Sequence, residues 1–187
     1  MLNSAFDAAQ EFAIPDFSTV DRATALGEFM ERVFAALHVP VFHYLMSRVG
    51  NIAEAEDITQ EVFLRLCAEL QAGRRIDNLR PWCFRVAHNL AASEGRRKQT
   101  QDQYRVAVAI DDPQVQSGIE ETLLKKEQAK RVATAMAKLT EMERSCLLLR
   151  TEGLLYREIG EVLNIRIPTV QTLLARAMKK IVGELHD

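Results

Sequence analysis

Glycine and proline are scarce in this chain, 8 and 5 among 187 residues, and no Val/Ile/Thr-rich alternating run bounded by turns is present. Sheet proteins depend on such runs and turns, so their shortage points to an all-helical fold. The three cysteines, Cys67, Cys83 and Cys146, form an odd and widely spaced set among apolar neighbours. They read as reduced, packed thiols and not as a disulfide framework. No HExxH or CxxC spacing occurs and His38 and His43 stand five apart, so neither a metal nor any other cofactor is expected. A phosphate-cradling glycine loop and a nucleophile constellation are also missing, which makes an enzyme the least fitting class. No apolar run is long enough to span a bilayer and no segment reads as a signal peptide, so a soluble, cytoplasmic protein is the expectation.

What is present is organised around residues 154–180, LLYREIGEVLNIRIPTVQTLLARAMKK. Apolar residues at Leu155, Ile159, Val162 and Leu163 break off at Asn164, and a second set resumes at Val170, Leu174, Ala177 and Ile181. This is the period of two short amphipathic helices joined by a tight corner, a helix-turn-helix. Asn164 stands where a left-handed residue must end the first helix, and Pro168 falls in the first turn of the second, where backbone N–H groups have no helical acceptors. Gly160 costs roughly 1 kcal/mol relative to Ala inside a helix, which makes sense if the second helix crosses over it closely. With Thr172 at the centre of the outward face, Pro168, Ala175, Arg176 and Lys179 lie beside it, and Gln171 and Leu173 lie on the flanks. A dry back and a cationic front are the form of a major-groove reader; a merely solvated basic face is the plain alternative.

The net charge of −2 says little, but its distribution is uneven. Asn51 followed by Glu54 is an N-cap signature that opens a helix, AEAEDITQEVFLRLCAEL. Ala55, Ile58, Val62, Phe63, Leu66 and Leu70 share one face, while Asp57, Gln60 and Glu61 gather opposite them around an exposed Leu64. An apolar residue ringed by carboxylates is the layout of a protein-binding patch with a polar rim. From Arg74 to Lys98 the sign reverses, with seven basic residues (Arg74, Arg75, Arg80, Arg85, Arg96, Arg97, Lys98) against Asp77 and Glu94. Such segregation suggests two different partners. Residues 73–79 read as a loop and 80–97 as a helix carrying Trp82, Phe84 and Val86 among the cations, an arrangement that can hold an unstacked base while cations grip phosphates. Trp82 alone is more often a core residue than a stacking platform.

In chain order the expectation is two small helical domains joined by a flexible linker, the second containing the helix-turn-helix. Residues 1–19 form an arm. A domain spans 20–98, opening with an amphipathic helix to Leu37 and a second one that Pro40 begins or kinks and Gly50 stops. Residues 99–118, polar and ending in Asp-Asp-Pro, read as the linker and could extend on the order of 70 Å at about 3.5 Å per residue. The second domain, 119–187, has a helix marked by Ile119, Leu123, Val132, Met136 and Leu139, then a helix opened by the capping box Thr140-Glu141-Met142-Glu143 and stopped near Gly153.

Taken together, the chain resembles a bacterial RNA polymerase sigma factor of the extracytoplasmic-function group. AEDITQEVFLRL at residues 55–66 resembles that family's core-polymerase-binding helix, and RPWCFRVAHNLAASEGRRK at 80–98 its melting and minus-ten-recognition helix. LTEMERSCLLLRTEGLLYREIGEVLNIRIPTVQTLLARAMKKI at 139–181 resembles its minus-thirty-five-binding domain. The resemblance implies that Asp57, Gln60, Glu61 and Leu64 face the clamp helices of the polymerase. It implies that the loop with Arg74, Arg75 and Asn78 captures a flipped base, and that Arg80, Arg85, His88, Asn89, Arg96, Arg97 and Lys98 meet the melted strand and its phosphates. Arg166, Thr169, Gln171, Thr172, Ala175, Arg176 and Lys179 would serve the major groove. Core polymerase, promoter DNA and an anti-sigma factor are the implied partners. A sigma-like decoy that binds an anti-sigma protein without touching DNA, and a plain helix-turn-helix regulator, are the competing readings.

The chain departs from the family pattern on its recognition helix. Gln171, Leu173 and Met178 stand where the family commonly has Lys or Arg, and Ala175 where it often has an aromatic residue or His. Each lost phosphate contact flattens the dependence of binding on salt by about 0.9 in the log–log slope. The isolated protein is therefore expected to bind free promoter duplex weakly and with a shallow salt slope. Nanomolar binding in physiological salt, measured by fluorescence anisotropy, would contradict this.

Overall fold

The computed structural model describes residues 22–102 and 134–186, with side chains described for 23–95 and 134–184. Helix α1 (Arg22–Val49) buries Leu26, Phe29, Val33, Leu37, Val41, Tyr44 and Leu45, a stripe at helical spacing. The sequence suggested that Pro40 would begin or kink a second helix, but α1 runs through it as one element. Proline deprives the helix of one hydrogen bond and costs roughly 3 kcal/mol. The apolar stripe continues without a phase break from Leu37 through Val41 to Leu45, all fully buried, and its packing offsets that cost.

Helix α2 (Ile52–Gln71) starts where Asn51 Oδ1 accepts the Glu54 N–H at 3.0 Å, as its capping signature predicts. Ala55, Ile58, Val62, Phe63, Leu66 and Leu70 are its buried face. Helix α3 (Leu79–Asp102) closes the first unit by packing on both others through Leu79, Cys83, Phe84, Ala87 and Ala91. It extends through residues 99–102, the first part of the expected linker; the rest of the linker lies outside the described residues. So do the N-terminal arm and most of the helix expected from Ile119, of which residues 134–137 are helical.

The second unit contains α4 (Glu141–Thr151), α5 (Tyr156–Leu163) and α6 (Ile167–His186). The capping box at the head of α4 is formed: Thr140 Oγ1 accepts the Glu143 N–H, and Glu143 Oε2 accepts the Thr140 N–H at 2.9 Å. Lys180 on α6 adds a 2.6 Å ion pair to the same Glu143 oxygen, so this carboxyl is held below its ordinary range. Between α5 and α6, Asn164 adopts φ 53°, ψ 46°, the left-handed residue the corner demands. Its neighbour Ile165 donates its N–H back to Gly160 O at 2.9 Å. Buried side chains of the two units join in one cluster, with α3 lying against α5 between them. Cys83 and Cys146 are both fully buried within it, and burial pushes their thiols up to about 12 and about 11.

The glycine at 160 is required by the corner more than by the crossing helix. A Cβ built there would lie 2.7 Å from the Ile165 carbonyl oxygen but 3.9 Å from Val170 Cγ2 on α6. Gly160→Ala should therefore lose stability in spite of a helix-propensity gain of about 1 kcal/mol, because overpacking against backbone costs about 1–3 kcal/mol. A thermal melt of the variant at or above the wild-type midpoint would contradict this close approach.

Candidate protein and nucleic-acid interfaces

Three surfaces follow from these helices. On α2 the buried stripe turns Asp57, Gln60 and Leu64 outward, and Leu64 is 66% exposed. Glu61 is half-buried and pairs with Arg65 one turn on, at 2.6 Å, an exposed pair of small energetic weight. Beside this face runs a groove of about 500 Å³ lined by Asn51, Glu54, Asp57, Ile58, Glu61, Leu90 and Glu94. Leu90 and Glu94 come from α3, and sequence reasoning missed them because Glu94 sits inside a basic run. Only the packing angle of α3 on α2 brings that carboxylate to the acidic side.

The basic loop and the start of α3 make the second surface. Arg74 donates two hydrogen bonds to Glu69 at 2.8 and 2.9 Å, and Arg75, Arg85 and Asn89 are exposed. Trp82 is half-buried, packed on the core by one side and lining an open pocket by the other. That pocket, about 480 Å³, brings together Arg74, Arg75, Asn78, Trp82 and Arg85 with Arg157, Glu158 and Glu161 of α5. Asn78 Nδ2 donates to Glu158 Oε1 at 2.8 Å, and Arg80 donates to the Glu152 carbonyl oxygen at 2.9 Å. The side chains of Arg96, Arg97 and Lys98 lie outside the described residues.

His88 is placed inward. The Tyr44 phenol, buried and pushed up to about 12, donates to His88 Nδ1 at 2.7 Å. Burial first, and the Arg48 guanidinium second, lower the imidazole to about 4, with Glu141 opposing weakly. Arg48 was not singled out from sequence, yet it reaches from the end of α1 to Ser145 Oγ and Glu141 Oε1 on α4, both at 2.7 Å. No periodicity marks such a residue, because its role depends on the neighbouring unit.

The third surface is the outward face of α6. Arg166, Thr169, Gln171, Thr172, Ala175, Arg176 and Lys179 are all exposed, and Val170, Leu174 and Ala177 are buried behind them. Thr172 Oγ1 donates to the Pro168 carbonyl at 2.9 Å, so its proton is committed within the helix. Leu173 leans on the core, whereas Met178 is half exposed. Lys180, also basic, is turned to Glu143 and not to the open face. Among the described residues no group of His, Cys, Asp and Glu is placed to hold a metal ion, and no helix is long and apolar enough to cross a membrane.

Comparison with known proteins matches residues 33–101 to the family model "Sigma-70 region 2" and residues 129–181 to "Sigma-70, region 4". Relatives include the ECF RNA polymerase sigma factor SigW of Bacillus subtilis, 27% identical over 156 residues, covering 79% of this chain and 83% of SigW. The ECF RNA polymerase sigma factor BldN of Streptomyces coelicolor is 25% identical over 186 residues, 97% of this chain and 68% of BldN. Among solved structures, the sigma factor RpoE in complex with the anti-sigma factor NepR from Bartonella quintana shares the fold with TM-score 0.62 and 18% identity, over 83% of this chain and 96% of that one. CnrH in complex with the cytosolic domain of CnrY gives TM-score 0.58 and 19% identity, over 86% and 89%.

The buried imidazole gives a pH dependence with a defined sign. The unfolded His88 takes up a proton near its ordinary value of 6.5, while the folded ring stays neutral down to about 4, so stability is lost as pH falls through that window. Thermal melts from pH 7 to pH 4 should show a steeper decline for the wild type than for His88→Gln, which keeps an acceptor for Tyr44. Parallel declines would remove this role for His88.

Proposed function

The chain belongs to the sigma-70 family of bacterial RNA polymerase sigma factors, in its extracytoplasmic-function group, and we propose from this that it is a cytoplasmic promoter-specificity subunit without catalytic activity of its own. It directs core RNA polymerase to particular promoters, assists their melting and is held in check by an anti-sigma factor. The observation that carries this reading is the sorting of charge onto separate surfaces of successive helices, a carboxylate-rimmed Leu64 on α2 and cationic faces at the α2–α3 loop and on α6.

Each surface has the chemistry its role needs. The Asp57, Gln60, Glu61 and Leu64 face offers an apolar centre within a polar rim to a basic partner helix of polymerase. Arg74, Arg75, Asn78 and Trp82 border a pocket of about 480 Å³, and pockets of this type hold a base taken out of the stack while cations grip the strand. Arg85 and Asn89, exposed farther along α3, continue that path, and Arg80, Arg96, Arg97 and Lys98 are assigned to the same strand by the family pattern. On α6, Thr169, Gln171, Thr172, Ala175, Arg176 and Lys179, preceded by Arg166, reach the major groove, Arg176 and Lys179 holding phosphate or base edges. Strand separation needs no nucleotide hydrolysis, because capture of a flipped base offsets a few kcal/mol of unstacking.

Reconstituted transcription with core enzyme tests the proposal. Wild-type protein should yield promoter-specific transcripts, and Asp57→Lys together with Leu64→Asp should abolish polymerase capture while leaving the melting temperature within a few degrees. A chain that captures an anti-sigma protein but never yields a transcript would establish the decoy reading instead.

A further inference from the structure

The centre of the outward face of α6 offers methyl groups where hydrogen-bond donors could stand. Thr172 and Ala175 are both exposed, and Val170, Leu174 and Ala177 are buried behind them. Thr172 Oγ1 donates to the Pro168 carbonyl at 2.9 Å, one turn back along the same helix. A hydroxyl carries a single proton, so this one is spent, and the side chain has left only an oxygen that accepts and a methyl group. Ala175, three residues on and therefore on the same face, has a methyl group alone. The cations lie beyond, Arg176 one turn after Thr172 and Lys179 one turn after Ala175, both exposed.

We propose that Thr172 and Ala175 read the 5-methyl groups of thymines, so that the duplex under the centre of α6 is chosen for T·A pairs by apolar contact. The reading rests on the proposed function, since it presumes that α6 enters a major groove. Among the four bases only thymine presents a methyl group there, and Thr and Ala methyls are its fitting partners. A guanine in the same place would lose water from N7 and O6 and gain no donor from either residue. Side chains three apart on a helix have Cβ atoms about 5–6 Å apart. Successive bases rise by about 3.4 Å, so the two methyl groups of the helix cover two neighbouring base pairs. Arg176 and Lys179 then grip the flanking phosphates or a guanine outside that pair.

The test uses holoenzyme assembled from the full chain and core polymerase, and a pool of duplex DNA of randomised sequence from which it retains its preferred promoters. Thymines in the retained upstream element are then replaced singly by uracil, which removes the 5-methyl group and keeps every hydrogen-bonding group of the base. Uracil at each of two neighbouring pairs should weaken retention about fourfold, the worth of one buried methyl group. Thr172→Ser, which loses the methyl group and keeps the hydroxyl bonded to Pro168, should make one of these replacements neutral, and Ala175→Gly the other. Because glycine also weakens the helix, Thr172→Ser is the deciding variant. The methyl reading is overturned if no uracil replacement weakens retention, if the loss is the same in Thr172→Ser as in wild type, or if the retained element has only G·C pairs where α6 lies. Retention of a defined sequence with any of these results defeats the methyl reading alone. A chain that does not assemble with core polymerase, or a holoenzyme that retains no sequence above the pool, defeats the proposed function and this reading with it.

Discussion

Polar side chains drawn to the seam between the two helical units make directional contacts there, and these contacts set how the molecule closes. A guanidinium or carboxylate left alone in such a place costs several kcal/mol. The end of α1 supplies Arg48, the start of α3 supplies Asn78 and Arg80, and the facing unit answers with Ser145 Oγ, the Glu141 and Glu158 carboxylates and the Glu152 carbonyl. Apolar packing brings the units together, since their buried side chains form one cluster, but packing has no direction. The hydrogen bonds choose one register among many.

That register decides which surfaces stay outside. The acidic face of α2 and the outward face of α6 are both exposed, and the basic loop, whose Arg74 and Arg75 are exposed too, borders an open pocket against α5. The closed molecule therefore presents the α2 face to solvent, while the loop borders the pocket it shares with α5.

The fold was legible wherever local chemistry dictates it. Asn51, Thr140 and Asn164 are each fixed by a capping or corner geometry that acts over three or four residues, and each is found as expected. The apolar face of α2 was also legible, residue for residue, since a helical period needs no knowledge of the partner surface. Pro40 was misjudged because its cost is local while the compensation, continuous burial from Leu37 to Leu45, belongs to the tertiary structure. Contributions that arise across elements left no mark in the sequence. Glu94 joins the acidic groove, His88 turns to Tyr44, and Arg48 crosses to α4 because helices from distant parts of the chain happen to face them.

The two sealed thiols carry a consequence for signalling. Cys83 and Cys146 are shut from solvent and protonated at neutral pH, so neither offers the thiolate that peroxide or a disulfide would attack. An oxidant in solvent therefore has no direct route to these two sulfurs in the closed molecule. Of the three sulfurs only that of the half-buried Cys67 stands near solvent.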